Sequence, residues 1–228
     1  MSDMSITEIN KDTFWELIAQ TKAIYGQDLE ASAEWIKGQL LRLGPEQALN
    51  FDNIVHGYSD LAYKYGLWTA ASVMLDGCTD DGFIDFRGWL IAQGRDVYLA
   101  ALKDPDTLAD APLYGDGCFE SLAYIGGIAY EKLTGKDVYD AFDRPAYEKL
   151  KQELAQDIKY GEGINYPYKW SEAAEYLPRL CAKYVPPQAL VWLIQNHDDT
   201  WNPTCQEVQR ARETAVKGKK KNRGGEAR

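Results

Sequence analysis

The sequence predicts an all-α protein, and three observations support this class. Apolar residues recur along most of the chain at the three- and four-residue spacing of amphipathic helices. Glycine and proline, which end or open helices, fall between these stretches. No stretch of useful length alternates as a strand does, although a small hairpin within 136–170 stays open. With 228 residues, 45% of them hydrophobic, the chain is long enough to bury a core, and we expect a compact single-domain globule.

Four helices are predicted in the first third of the chain, each bounded by glycine, proline or a short polar side chain. They cover residues 12–25, 28–43, 45–65 and 67–75. Asp12 or Thr13 is placed to cap the first, and Gly26 ends it. Pro45 suits the opening turn of the third helix. The fourth is apolar nearly throughout, which is typical of a central buried helix.

The remaining helices are shorter and separated by turns. They are predicted over 83–93, 95–102, 119–133, 147–158, 171–176, 188–196 and 207–216. The doublet Gly126-Gly127 lies inside one of them and indicates close helix packing, because each glycine otherwise costs about 1 kcal/mol relative to alanine. Residues 161–168 are predicted to form a loop.

Charge is unevenly distributed along the chain. The net charge is −10, but residues 217–228 carry six basic residues and one acid, a charge of +5, which leaves −15 for the first 216 residues. An acidic body repels nucleic acid and attracts a basic partner, although acidity also serves solubility alone. The basic segment 217–228 is predicted to be disordered and could contact nucleic acid.

The domain plan and the location follow from the same features. We expect a polar lead-in over 1–11, a helical domain over 12–184, a helical extension over 185–216 and the basic tail over 217–228. No apolar run is long enough to span a membrane, and the N-terminus does not resemble a signal peptide. The four cysteines are scattered, which favours reduced, mostly buried thiols in a cytoplasmic protein.

Several segments together resemble the bacterial DUF4240 family, a domain of unknown function. The longest are Leu67 to Ala71, Asp76 to Phe83 and Phe86 to Arg95, and the shorter ones are Phe14 to Ile18, Asp104 to Ala109 and Leu177 to Leu180. The resemblance covers roughly residues 12–184, and it implies a fold but no established reaction. One departure is Cys181, where an aromatic residue would be expected, and this affects core packing more than any site.

The central block contains the candidate binding residues, which are Asp80, Asp81, Asp85, Arg87 and Arg95. One interpretation is structural: the acids cap a helix start, and the arginines pair with them or with carbonyl groups. The other is a polar site beside an aromatic wall that binds a cation, a phosphate or a guanidinium group. A second candidate, an interface, is the aromatic loop of Tyr160, Tyr166, Tyr168 and Trp170, for which packing over the core is the alternative.

The familiar catalytic and cofactor motifs do not occur. The spacing of acids around Asp76 and Asp80 fails the EF-hand pattern, and no P-loop, GxGxxG or zinc spacing is present. The two histidines suggest no nucleophile arrangement: His56 is interpreted as structural and His197 as solvated. We therefore predict no catalytic residue, no metal ligand and no cofactor.

These features leave three hypotheses for function. The leading one is a protein-binding or regulatory module, in one version an immunity-like protein that captures a basic partner. The second is an enzyme, a hydrolase or one that handles phosphate, which uses the Asp/Arg residues of the central block. The third is nucleic-acid contact through residues 217–228, and no membrane partner is expected.

Overall fold

The predicted all-α class is confirmed by a computed structural model, which describes residues 6–112, 117–165, 169–198, 210, 211 and 213. Across these residues the chain is largely helical and contains no strand. The first four helices are α1 (Lys11–Tyr25), α2 (Leu29–Leu43), α3 (Pro45–Leu61) and α4 (Tyr65–Met74). Asn10 caps α1 by accepting from the backbone N–H groups of Asp12 and Thr13, so the cap precedes the residues that the sequence suggests.

The rest of the described chain alternates α-helices with short 3-10 segments. The α-helices are α5 (Asp80–Ala92), α6 (Arg95–Lys103), α7 (Ile125–Thr134), α8 (Arg144–Ala155), α9 (Trp170–Tyr176), α10 (Pro178–Tyr184) and α11 (Pro187–His197). The 3-10 segments are Pro105–Asp110, Glu120–Ala123 and Val138–Ala141. The basic tail over 217–228, with its predicted disorder, lies outside the described residues, as does most of 207–216.

The chain forms two compact units, each assembled from three stretches. The first comprises the described residues within 1–63, 84–99 and 117–159. Its core is an aromatic cluster in which the ring of Tyr58 packs against Phe14, Trp15 and Tyr98 at centroid distances of 4.7–5.7 Å. The indole N–H of Trp15 donates to the Tyr58 hydroxyl at 2.9 Å, and the Tyr98 hydroxyl donates to the Tyr58 carbonyl at 2.7 Å. The buried hydroxyl groups of Tyr58 and Tyr98 are therefore both hydrogen-bonded.

The second unit comprises the described residues within 64–83, 100–116 and 160–228. Helix α4 is buried along nearly its whole length, as its apolar sequence predicts. The Trp68 ring stacks on Phe83 at 5.0 Å, and its indole N–H donates to the Cys78 carbonyl at 2.8 Å. Cys181 is buried in α10, where desolvation raises the pKa of its thiol to about 11. The sequence predicts that Cys181 affects core packing, and its burial agrees with this.

Asp106 organises the C-terminal part of the second unit. It lies in the 3-10 segment Pro105–Asp110 and is buried. Its carboxylate accepts from the backbone N–H of Arg179 at 3.0 Å and from that of Leu180 at 2.9 Å. These donors belong to the free first turn of α10, so the aspartate caps a helix that starts about 70 residues later. This contact thus joins two segments that lie far apart in the sequence.

Candidate functional site

The first unit contains an acidic and aromatic cleft of about 500 Å³. It lies between α3, α7, the 3-10 segment Val138–Ala141 and the start of α8. Its lining comprises the acids Asp52, Asp60, Glu131 and Asp137, the rings of Tyr124, Tyr139, Phe142 and Tyr147, and His56, Asn53, Leu49, Ala123, Gly127, Ile128 and Val138. We call it the α3–α7 cleft. Among these lining residues four carry a carboxylate and none is lysine or arginine.

Three polar residues of α3 face this cleft because of their spacing. Asp52, His56 and Asp60 are four residues apart, which places them on one side of the helix. The opposite side carries Phe51, Ile54 and other core residues. An amphipathic helix thus presents its core-facing stripe on one side and an acidic row on the other.

Asp52 lies deepest in this row. Its side chain is only 9% exposed, and one carboxylate oxygen is 3.7 Å from the Nε2 of His56. Burial raises the pKa of Asp52 above its usual value, while His56 and a hydrogen bond from the Gly127 N–H oppose that shift. The imidazole of His56 is 46% exposed and opens into the cleft, so this histidine is not enclosed in the core.

The depth of Asp52 depends on the glycine doublet. A Cβ added to Gly126 would lie 2.6 Å from the Cβ of Asp52 and 2.8 Å from its Cα and backbone N. A Cβ on Gly127 would come within 3.2 Å of Val138 and 3.6 Å of the Asp52 carboxylate. Only glycine lets the backbone of α7 approach α3 so closely, which confirms the close packing that the sequence predicts.

The outer end of the cleft contains a small hydrogen-bonded group around Asp60. Its carboxylate accepts from the Tyr147 hydroxyl at 2.9 Å and lies 3.7 Å from the ammonium of Lys151. That ammonium also sits 5.4 Å from the centroid of the Tyr147 ring. Burial, and then the Asp60 contact, raises the pKa of Tyr147 above its usual value. One end of the cleft already combines a cation, a carboxylate and an aromatic ring.

Aromatic and aliphatic side chains surround the acids and remain open to solvent. Tyr139 is 80% exposed, Tyr124 54% and Ile128 50%, and Phe142 is also exposed. Exposed apolar groups gathered around polar ones are typical of a binding surface. No group of three or more His, Cys, Asp or Glu side chains in the described part of the chain is arranged to hold a metal ion. The arrangement suits an organic cation, which both carboxylates and ring faces attract.

A comparison with models of protein families identifies the family of this chain. The model of DUF4240, described as a protein of unknown function, matches residues 9–132, more than half of the chain. The chain belongs to the DUF4240 family. The match ends before the sequence-predicted boundary at about residue 184. It includes the α3 and α7 walls of the cleft but not Asp137, Tyr139, Phe142 and Tyr147.

Other comparisons add no relative to this DUF4240 protein. Searches of curated proteins and of solved structures gave no match. In the part of the chain that the structure describes, no helix is both long and apolar enough to cross a membrane.

The candidate binding residues of the central block lie on or near α5, with different surroundings. Asp80 and Asp81 are exposed in the first turn of α5, which begins three residues before the helix that the sequence predicts over 83–93. Thr79 provides a cap there, since its hydroxyl accepts from the Gly82 N–H at 3.1 Å. Asp85 is partly buried and lines a small cavity of about 50 Å³ next to Gly88.

The two arginines of the same set point to different partners within the first unit. Arg87 is buried, donates to the Ser59 carbonyl at 2.8 Å and lies 4.9 Å from the Tyr63 ring centroid. Arg95 pairs with Asp157 at 3.0 Å, and Lys11 pairs with the same carboxylate. Arg87 and Arg95 therefore contact different groups. A shared ligand site for the whole set stays a prediction.

The predicted aromatic interface is described only in part. Tyr160 is 38% exposed, and the ammonium of Lys64 lies 4.4 Å from the centroid of its ring. Trp170 is buried at the start of α9. Tyr166 and Tyr168 lie outside the described residues. A role of this loop as an interface stays a prediction.

Sequence reasoning missed the α3–α7 cleft. It interprets His56 as structural and does not single out Asp52 or Asp60. A signal was present, because Asp52, His56 and Asp60 recur every four residues on the side of α3 away from its apolar stripe. The glycine doublet indicated a close contact for α7 but could not name α3 as its partner.

Proposed function

We propose that this protein is a binding module that captures a basic protein partner at the α3–α7 cleft, as an immunity-like or regulatory protein would in the cytoplasm. The observation that carries this proposal is the combination of four carboxylates with exposed aromatic rings in one cleft. Aromatic side chains are enriched at protein interfaces, and carboxylates select a partner of opposite charge.

The charge of the chain as a whole supports the same role. The first 216 residues carry −15, so a basic partner is attracted before contact and its association is accelerated. This long-range attraction is screened within about 10 Å at 0.1 M salt. The rings and carboxylates of the cleft then provide the short-range contacts that discriminate among basic proteins.

The experiment is affinity capture from the native host with three forms of the tagged protein. They are the wild type, the cleft variant E131Q/D137N and the control D80N/D81N. Each variant removes two negative charges, and the amide introduced by D137N keeps the oxygen that accepts from the Tyr139 N–H at 2.9 Å. We expect a basic protein with the wild type and with the control, and much less of it with the cleft variant.

Two results would contradict the proposal. One is the absence of any stoichiometric basic protein in the wild-type capture. The other is an equal loss of capture in both variants, because net charge alone would then explain binding. A loss confined to D80N/D81N would instead favour the candidate site that the sequence predicts on α5.

The other two hypotheses remain predictions with less support. The separate partners of Arg87 and Arg95 do not favour an enzyme site that uses them together. Nucleic-acid contact through residues 217–228 falls on a segment outside the described residues. Deletion of that segment should abolish a salt-sensitive affinity for DNA or RNA if the contact exists.

A further inference from the structure

Asp52 is a buried carboxylate to which the described residues bring no permanent positive charge. Its side chain is about nine-tenths buried, and the one cationic group within 4 Å among those residues is His56, which is charged only when protonated. The Gly127 N–H adds a neutral donor. A buried carboxylate needs a cationic partner or several hydrogen-bond donors, as Asp106 has, because an unpaired charge away from water is costly. The inner end of the cleft therefore lacks the partner that such a group requires.

At the outer end of the cleft, the carboxylate of Asp60 does have a cationic partner. Asp60 has Lys151 at 3.7 Å, with the Tyr147 ring beneath the same ammonium. Asp52 lies eight residues earlier on the same face of α3, about 12 Å away along the helix axis. Lys151 is thus paired with the outer carboxylate, Asp60. The inner carboxylate, Asp52, faces open cleft volume lined by Ile128 and aromatic rings.

We propose that Asp52 receives the guanidinium group of an arginine side chain that the basic partner inserts into the α3–α7 cleft. This inference rests on the proposed function and names the group that is recognised. A guanidinium is planar, pairs with a carboxylate through two parallel N–H donors and stacks on aromatic faces. It is also more weakly hydrated than an ammonium, so it enters a half-enclosed cleft at lower cost. The exposed rings of Tyr124 and Tyr139 line the same cleft.

The test uses His56 as a built-in reporter. The chain has two histidines, so proton NMR shows two sets of imidazole signals, and the variant H197Q identifies that of His56. The full-length protein is titrated with N-acetyl-arginine amide, with the corresponding citrulline compound, which has the same shape without the charge, and with the lysine compound. The change of the His56 signals along each titration gives a dissociation constant. We expect this constant to be at least about tenfold lower for the arginine compound than for the citrulline or lysine compound.

Two variants connect this response to the cleft. D52N keeps the shape and an acceptor oxygen but removes the charge, and it should weaken arginine binding about tenfold or more. Y139A changes a side chain that is 80% exposed, so it leaves the fold intact and should weaken binding severalfold through lost stacking. E30Q/E153Q, which changes two exposed acids outside the cleft, is the control and should bind as the wild type does. Circular dichroism confirms that each variant is folded.

Each other outcome overturns the inference. An equal response to citrulline would show that charge is not recognised, and an equal response to lysine would remove the preference for guanidinium. Unchanged affinity in both D52N and Y139A would place the anchor elsewhere. If these results came with intact, cleft-dependent capture of a basic protein, only the assignment of Asp52 would fail. If no basic protein were captured, the proposed function itself would fail.

Discussion

Replacing Gly126 with alanine tests the contact that forms the inner end of the cleft. The new methyl group would lie 2.6–2.8 Å from three atoms of Asp52, namely its Cβ, Cα and backbone N. None of these atoms can rotate away, so the helices must separate. Overpacking of this kind costs about 2–3 kcal/mol, and alanine returns about 1 kcal/mol of helix propensity. We expect G126A to lower the free energy of unfolding by about 1–2 kcal/mol.

The matched control is the same substitution at Gly38, in the interior of α2. Nothing lies within 4 Å of a Cβ built there, so only the propensity term acts. G38A should raise the free energy of unfolding by about 0.5–1 kcal/mol. The two alanine variants should therefore differ by roughly 1.5–3 kcal/mol. Urea unfolding followed by circular dichroism at 222 nm measures both.

A specific result would refute this reasoning. If G126A were as stable as G38A, then α3 and α7 would not approach each other as described, and the burial of Asp52 would lose its explanation. A loss of stability in both variants would show instead that the propensity term has the wrong sign here. The His56 imidazole signals give a local check, because separation of the helices moves them in G126A but not in G38A.

Two further predictions concern the carboxylates that hold segments together. D106A leaves the N–H groups of Arg179 and Leu180 without their acceptor and should lower the free energy of unfolding in urea by about 2–3 kcal/mol. D106N keeps one acceptor oxygen and should cost about half as much. Equal stability of D106A and the wild type would contradict the cap. Lys11 and Arg95 hold the pKa of Asp157 below its usual value, so its stabilising effect is complete above about pH 4 and disappears as the pH falls through the lowered pKa. D157N should therefore be less stable than the wild type by about 0.5–1 kcal/mol at pH 7 and equally stable near pH 2, and a gap that persists at low pH would contradict this pairing.

The sequence could predict the elements whose signals are local. The apolar run 67–75 is α4, and the turn residues at Gly26 and Gly44 mark helix ends where the structure has them. The glycine doublet indicated a close helix contact, and Asp52 provides it. In each case the signal lies within a few residues of the feature that it predicts, so no knowledge of the tertiary structure is needed.

The structure differs from the sequence prediction where contacts with residues far along the chain determine where a helix begins or ends. The sequence predicts that α3 continues to Tyr65, but it ends at Leu61 and α4 begins at Tyr65, with the Gly66 N–H donating to the Ile164 carbonyl at 2.8 Å. The helix predicted over 119–133 starts instead as a 3-10 segment, and the Phe119 N–H donates to the Asp85 carbonyl. These partners lie far along the chain, so no local pattern announces them.

Helix α10 and the cleft were missed for the same reason. The α10 cap comes from Asp106, about 70 residues earlier, and without that partner Pro178 indicates only a helix break. The walls of the cleft come from α3, from α7 and from the segment that follows α7 up to Tyr147. Together the lining residues span nearly 100 positions of the sequence, from Leu49 to Tyr147. Spacing on one helix could suggest an acidic row but not the aromatic rings that face it.

Arg87 and Asp52 show why a buried charge alone does not mark a binding site. Both are buried in the first unit, but Arg87 donates to the Ser59 carbonyl and lies against the Tyr63 ring, so its position is explained by the fold. The charge of Asp52 is met within the described residues by a neutral N–H and by a histidine that is not permanently charged. A locally unfavourable arrangement that a fold retains is expected at functional sites, where a ligand supplies the missing interaction. By this criterion the residue that the sequence did not single out is the stronger candidate, and the glycine contact that buries it serves the fold and the cleft at once.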